Sequence, residues 1–293
     1  MRQLLAGLCL WLACALVQAE VVKVRAFDDI IDSGVLKVAM YENFPPYSFM
    51  ADGKPRGVDF ELAQKLASEL GLKVEVLWVR PDETLDDDLR NFIWKGHYLR
   101  PNVLADVMMR VPYDREFSYK QNELGELINE LVVMFGPYQR ERWQSAYDDR
   151  RIDEVSSVGV FRFHPVGVEV ESVPSFYLSS VFNGSIAKML HHYPTAQAAF
   201  TAMQAGEVDA TMAMRGEIDW MLHQANDSHL KLAENAYPNM GKQAWELGMA
   251  VHESNRQLAY AIEGVLEGLI EEGDLEKIYA SYGLRYELPE LYQ

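Results

Sequence analysis

The side chains of this sequence whose types and spacing could do chemistry are two arginines, a pair of histidines, a run of carboxylates and a knot of aromatic rings. Arg110 and Arg115 bracket Val111-Pro112-Tyr113-Asp114 at the end of a predicted strand, where a guanidinium offers two parallel donors to a ligand carboxylate. An ion pair with Asp114 or Glu116 accounts for them equally well. His191 and His192 are adjacent, and neighbours on a helix point about 100° apart, which does not suit one metal ion. Asp82, Glu83, Asp86, Asp87 and Asp88 lack the ligand spacing and central glycine of a calcium loop, so they read as the solvated N-terminus of a helix. Tyr41, Phe44, Tyr47 and Phe49 surround Pro45-Pro46 after a strand, at the edge where an open α/β sheet takes its ligands. The same rings would also serve as a hydrophobic plug.

Signatures that specify enzymes are missing. The sequence holds no G-x-S-x-G, no glycine-rich phosphate loop, no G-x-G-x-x-G and no H-E-x-x-H, which weakens the case for hydrolases, nucleotide enzymes and zinc proteases. The expectation is a non-catalytic protein with neither cofactor nor metal.

The elements that must position these residues alternate. Strands are predicted at Val35–Met40, Lys73–Val79 and Ala105–Val111, with helices from Asp59 to Leu70 and from Asp86 to Gly96 between them. Leu62, Leu66 and Leu70 recur every four residues and Gly71 follows as a C-terminal cap. The pattern restarts with a strand at Glu130–Phe135, a polar connection from Gln139 to Glu154, and a strand at Ser157–Phe163. Helices are then expected at Ser175–Phe182, Ser185–His192, Thr195–Ala205 and Glu217–Gln224, and strands at Val208–Met214 and Trp245–Val251. Leu258, Ile262, Val265 and Leu269 give a long amphipathic helix near the end, followed by a shorter one from Asp274 to Tyr282. Strands alternating with helices imply right-handed crossovers and mainly parallel sheets covered on both faces, here in two lobes.

Charge and the N-terminus narrow the setting. In 293 residues, 27 Lys and Arg stand against 44 Asp and Glu, a net charge of −17 that repels phosphate backbones and argues against nucleic acid as a partner. Arg2, the apolar run Leu4–Val17 and the small residues of Val17-Gln18-Ala19 read as a cleaved signal peptide over residues 1–19. The run is too short for the ~20 residues that span a bilayer, so a periplasmic product without stable membrane insertion is expected. Cys9 and Cys14 both lie inside that segment, leaving no cysteine for disulfides or thiolate chemistry.

The order of Gly34-Val35-Leu36-Lys37-Val38-Ala39, Phe44-Pro45-Pro46-Tyr47, Gly57-Val58-Asp59-Phe60-Glu61-Leu62, Ala205-Gly206-Glu207-Val208-Asp209-Ala210 and Gly248-Met249-Ala250-Val251 resembles the family 3 periplasmic solute-binding proteins, the amino-acid-type receptors of ABC importers. The resemblance spans essentially the whole chain after the leader. It implies a type II periplasmic-binding-protein clamp, two α/β lobes each with a mainly parallel sheet flanked by helices, with residues 20–132 and 245–293 in lobe 1 and 133–244 in lobe 2. Hinge strands are expected near Glu126–Val133 and Gly241–Met249, and a ligand between the lobes, stacked on Phe44 or Tyr47 and gripped by Arg115.

Departures from the family pattern shape the ligand. The arginine-bearing segment keeps Arg115 but has Pro112 at its threonine position, and the lobe 2 aspartate that takes an α-ammonium falls on Met214. After Val158-Gly159-Val160-Phe161, the hydroxyl-bearing loop becomes Arg162-Phe163-His164-Pro165. A small polar organic solute other than a standard amino acid is therefore expected, since an ammonium buried without a carboxylate costs several kcal/mol. Asp88-Leu89-Arg90-Asn91-Phe92-Ile93-Trp94-Lys95-Gly96-His97-Tyr98 with Val111-Pro112-Tyr113-Asp114 is similar to the subgroup associated with PQQ-dependent quinoprotein alcohol dehydrogenases. That likeness implies, beside a small-molecule ligand and an ABC permease, a second kind of partner: a periplasmic quinoprotein dehydrogenase or its cytochrome c. Trp94 joins Phe44, Tyr47, Arg110, Arg115, Arg162, His164 and Met214 as a candidate ligand contact. Cyclohexadienyl dehydratases share the fold, which leaves an enzyme as a further alternative.

Overall fold

The computed structural model describes residues 24–293; the expected signal peptide lies outside the described residues. Helix α1 (Phe27–Ser33) leads into strand β1 (Val35–Tyr41), the hairpin β2 (Phe49–Ala51) and β3 (Lys54–Arg56), and helix α2 (Val58–Glu69). Leu62 and Leu66 face inward from α2 as their spacing requires. Gly57 opens the helix with φ 117°, and a Cβ there would lie 2.2 Å from the Tyr47 carbonyl oxygen, so only glycine lets the two backbones meet. Strand β4 (Lys73–Val79), helix α3 (Leu85–Leu89), strand β5 (Val107–Pro112) and the single-turn helix α4 (Arg115–Ser118) complete the first half. Thr84 caps α3, and the three aspartates of its first turn sit at the positive end of the helix.

Strand β6 (Val132–Asp148) is 17 residues long and carries the chain into the second lobe. There follow β7 (Val166–Glu169), α5 (Val173–Gly184), β8 (Leu190–Tyr193), α6 (Ala196–Ala205), β9 (Ala210–Met214), α7 (Arg215–Ala225) and β10 (Leu230–Leu232). Strand β11 (Ala244–His252) returns, and α8 (Arg256–Glu271) and α9 (Asp274–Ser281) finish the fold.

Among the described residues, the main sheet runs β4-β1-β5-β11-β6-β9-β7-β8, with β10 on β6. β1 is parallel to β4 and β5, and β7 to β8 and β9. β6 and β11 are antiparallel to each other and to the strands beside them. They are the two passages of a two-lobed clamp. Val132, Phe135 and Tyr138 of β6 pack in the cores of lobe 1, with Leu36, Leu62, Val107 and Leu266, whereas Ala146 and Tyr147 pack in those of lobe 2, with Phe200 and Phe161. Within the lobe 1 stretch, between Phe135 and Gln139, the β6–β11 register slips around Gly248, where a Cβ would stand 2.6 Å from the Phe135 carbonyl oxygen.

Four expectations about elements are corrected. Val158–Arg162 is a 3-10 turn, not a strand: Val158 and Phe161 are its buried residues, three apart on one helical face, and the strand is β7, where Val166, Gly167 and Val168 are all buried. Ser185–His192 is not a helix; it gives one turn at Ala187–Met189 and then β8, which pairs with β7. The passage expected at Glu126–Val133 begins only at Val132, and the supposed polar connection after Gln139 is the second half of β6. Gln139 and Glu141 point inward there while Arg142 is exposed, so the period of two is present but written in polar residues.

Candidate functional site

Strand ends converge between the lobes. Tyr41 closes β1, residues 80–84 follow β4, Glu169 closes β7, Thr195 precedes α6, and Met214 closes β9, which is the edge where ligands bind in such sheets. Two cavities meet here at Asn43, Phe44 and Glu169. One, of about 450 Å³, is lined by Tyr41, Glu42, Asp82, Glu83, Thr84 and Asp88; the other, of about 220 Å³, by Pro45, Thr195, Gln197, Glu217 and Trp220. A larger hollow of about 600 Å³ around Lys54, Arg56 and Lys65 lies wholly on lobe 1 and lacks the two-lobed enclosure that a clamp uses. Six carboxylates, Glu42, Asp82, Glu83, Asp88, Glu169 and Glu217, line the interlobe pair of cavities, and no lysine, arginine or histidine does.

The environment holds several of these acids back from ionising. Burial pushes the Glu217 carboxyl up to about 8, and the charges of Glu169 and Glu141 add to it while the Met214 N–H and Arg110 oppose. The half-buried Glu169 is raised by burial against the hydrogen bond its Oε2 accepts from the Ala196 N–H, 3.2 Å. Asp88 is raised by burial too, although it accepts from the Tyr41 hydroxyl at 2.9 Å and from the Asp82 N–H at 2.9 Å. Burial, with neighbouring carboxylates adding to it at Glu217 and Asp88, thus favours the protonated forms of these acids as long as no cation is beside them.

Behind the cavities lies a closed polar network. The Arg110 guanidinium donates from Nε and Nη2 to both Asp59 oxygens, 2.6 and 2.8 Å, and from Nη2 to Gln139 Oε1, 2.9 Å. It lies 3.4 Å from the centre of the Tyr47 ring, and its Nη1 is buried without a hydrogen-bond partner. The Tyr47 hydroxyl donates to Glu141 Oε2, 2.8 Å, as does the Gln139 side-chain amide, and Tyr138 donates to Asp59. Arg110 takes φ 61° to reach this position, a conformation that costs a non-glycine residue of order 1 kcal/mol or more. A buried guanidinium held by its own carboxylate has its charge already balanced.

The candidate residues read from the sequence divide accordingly. Phe44 walls both cavities and meets Tyr41 and Tyr47 edge-on. Tyr47 and Arg110 stand just behind, in the network. Met214 is half-buried with Trp220 and Phe49 where the lobes touch, and its N–H donates to Glu217 Oε2, 3.2 Å. Arg115 lies elsewhere, over the Tyr119 ring and beside a separate cavity with Tyr113 and Arg256. Trp94 packs against the core of lobe 1. Arg162 lies over Phe182 and donates to Ser185. His164 is bonded to Asp209 at the starting ends of β7 and β9, the edge opposite the cleft.

Two of these placements revise the reasoning about the ligand. Arg162–Pro165 precedes β7, so the segment that meets the cleft after that strand is Val170-Glu171-Ser172. Methionine does stand at 214, yet Glu217 restores a carboxylate three residues on, so an ammonium has a partner here. What the lining lacks is a base for a carboxylate. Glu217 was legible as the third helical residue of α7, reaching back to the N-terminal N–H in the manner of a capping box. Glu169 was hidden by the misplaced strand, and nothing local connects Asp59 to Arg110, 51 residues away.

Over residues 36–285 the chain matches the family of bacterial extracellular solute-binding proteins, family 3. It is 32% identical over 118 residues to the cyclohexadienyl dehydratase of Pseudomonas aeruginosa, a match covering 39% of this chain and 42% of that enzyme. The chain therefore aligns with less than half the length of that curated relative. Among solved structures it is similar to an ancestral cationic amino acid solute-binding protein, with TM-score 0.67 and 20% identity over 87% of this chain and 98% of that one. It is similar also to an amino acid ABC transporter substrate-binding protein from Streptococcus pneumoniae bound to L-arginine, with TM-score 0.60 and 19% identity over 89% and 98% of the two chains. At these identities the structural likeness speaks for the fold. No helix among the described residues is long and apolar enough to cross a membrane.

Proposed function

Because the chain belongs to the family 3 bacterial extracellular solute-binding proteins, we propose that it works in the periplasm without catalysis, holding a small organic cation that lacks a carboxylate and passing it to a membrane permease. One observation carries the reading: six acids and no base line the interlobe cavities. An ammonium or similar group replaces the water it loses with Glu169, Glu217 and Asp88, and the aromatic rings of Tyr41, Phe44 and Trp220 line the same cavities. A carboxylate would enter with nothing to offset its desolvation, since the charge of Arg110 is taken by Asp59. This excludes standard amino acids through their acid end rather than their ammonium. The lobes divide, in this reading, within Gln139–Arg142 rather than at 132, and on the return strand within Ala244–Leu247, a stretch that contains the expected boundary at 245.

Thermal melts with a panel of amines, choline-type cations and amino acids test the proposal. A cation at one hundred times its Kd stabilises the native state by about 2.7 kcal/mol, a rise in Tm of roughly 5 °C for a chain of this size. A comparable rise with L-glutamate and none with any amine would overturn it.

A second reading has its own support. A carboxyl that burial pushes up to about 8, like that of Glu217, suits a dehydratase, which needs an acid to protonate a leaving hydroxyl. Turnover of prephenate or arogenate that disappears in Glu217→Gln would establish it, although the acidic lining opposes so anionic a substrate. An accessory role beside a quinoprotein dehydrogenase draws on Tyr98 and Leu99, both exposed while Trp94 packs inward; salt-sensitive co-purification with such an enzyme is its test.

A further inference from the structure

Helix α7 of lobe 2 presents Arg215, Asp219 and His223, spaced by four and so aligned on one face. Residues 283–290, which continue from the last helix of lobe 1, run along that face in the opposite direction. Gly283 lies so close to His223 that a Cβ would stand 2.2 Å from the ring. Arg285 donates from Nη2 and Nε to the Asp219 carboxylate, 2.8 and 3.1 Å, and its backbone N–H adds a bond of 3.1 Å. Glu287 accepts from Arg215 and Arg142, each 2.5 Å. The order of charges on the helix, plus then minus, is met by minus then plus read backwards along the segment.

The same segment grips both passages between the lobes. The Arg140 N–H donates to the Glu287 carbonyl, 3.0 Å, the Tyr286 hydroxyl to the Tyr138 carbonyl, 3.0 Å, and the Glu290 N–H to Glu246, 2.5 Å. Asp219 is only 5% exposed and Arg215 6%, so the helix partner of each pair is buried while Arg285 and Glu287 keep some contact with solvent, and salt screens these pairs less than fully exposed bridges. Apolar contacts reinforce the edge. Phe49 meets Trp220 at 6.1 Å, and Gly216 lies under the Tyr47 hydroxyl, where a Cβ would come within 2.5 Å. None of these contacts involves the residues of the two cavities apart from Trp220.

We propose that residues 283–290 form a strap that fastens α7, and with it lobe 2, onto lobe 1 whether or not a ligand is present. Lobe separation is then confined to the opposite edge, where Asp82–Thr84 of lobe 1 share a cavity with Glu169 of lobe 2, and the α7 edge acts as the pivot. This goes beyond the ligand reading and does not rest on it. A ligand can shift an open–closed equilibrium only by its differential affinity for the two states, and the strap sets where that equilibrium starts. Loosening it lowers the closed fraction, and apparent affinity falls by the same factor.

Small-angle scattering of the full chain without ligand, as wild type and as the double substitution Arg285→Gln, Glu287→Gln, tests the strap. The double variant is expected to stay folded by circular dichroism and to show a larger radius of gyration and a broader pair-distance distribution. A folded variant whose scattering superimposes on that of the wild type overturns the proposal. If the variant unfolds, hydrogen exchange on the wild type decides. The amides of Arg285 and Arg140 should then exchange as slowly as those of α7, and rapid exchange at both would sink the strap.

Discussion

Glu217 is where burial, charge and the proposed ligand meet in one side chain. Burial pushes its carboxyl from an ordinary 4.5 up to about 8, so between those values the folded protein favours a proton that the unfolded chain releases. The contribution of this group to stability is therefore present at low pH and lost as pH climbs through 8. Binding of a cation runs the other way: it favours the carboxylate, so affinity should increase from pH 6 to pH 9 with proton release that titration calorimetry in buffers of different ionisation enthalpy can count. Glu217→Gln should flatten that profile, weaken a cation by about 10- to 100-fold, as expected for one lost charged hydrogen bond, and melt relatively higher than wild type at pH 9 than at pH 5. An unchanged pH profile in the variant would remove Glu217 from the site. At this scale legibility followed locality. Phe44 could be read because proline, aromatic rings and strand end are neighbours in sequence. Arg110 was found as a residue but not as a partner, because its carboxylate comes from α2.

Elements were legible where apolar residues kept the period and illegible where polar ones did. α2, β4 and α8 follow from Leu, Val and Ile spacing. The second half of β6 does not, because its inward positions are Gln139 and Glu141, which serve the buried network rather than an apolar core. Val158–Arg162 misled for the converse reason: its apolar residues suit a strand or a turn, and pairing along the sheet went to Val166–Glu169. Glycine positions separate strain from crowding at the same scale. Gly273 has φ 72° with nothing within 4 Å of a new Cβ, whereas at Gly57, φ 117°, the Cβ would collide with the backbone of Tyr47. Gly273→Ala should cost about 1–2 kcal/mol in denaturant melts. Gly57→Ala should cost clearly more and displace the loop that carries Phe44. Equal costs would mean that α2 and the aromatic loop are not held together by this approach.

The molecule as a whole was readable from the order of its segments: strand, aromatic loop and helix first, a second α/β unit, and a closing strand with two helices. Motif order transmits a topology because each motif sits at a fixed turn of the chain. The acidity of the cleft was not readable in this way, since its six carboxylates come from both lobes and are brought together only by the two long strands. The same arrangement bears on how the chain must assemble. The core of lobe 1 needs Leu258, Ile262, Leu266 and Leu275 from α8 and α9 beside Leu36, Leu62 and Val107, while the strands and helices from β7 to α7 lie within one uninterrupted stretch. As the polypeptide emerges from a ribosome or a translocation pore, that inner stretch can close its own core at once. The earlier strands must wait, half-clothed and sticky, for the final forty residues to arrive, so this is the interval in which a chaperone would have the most to do.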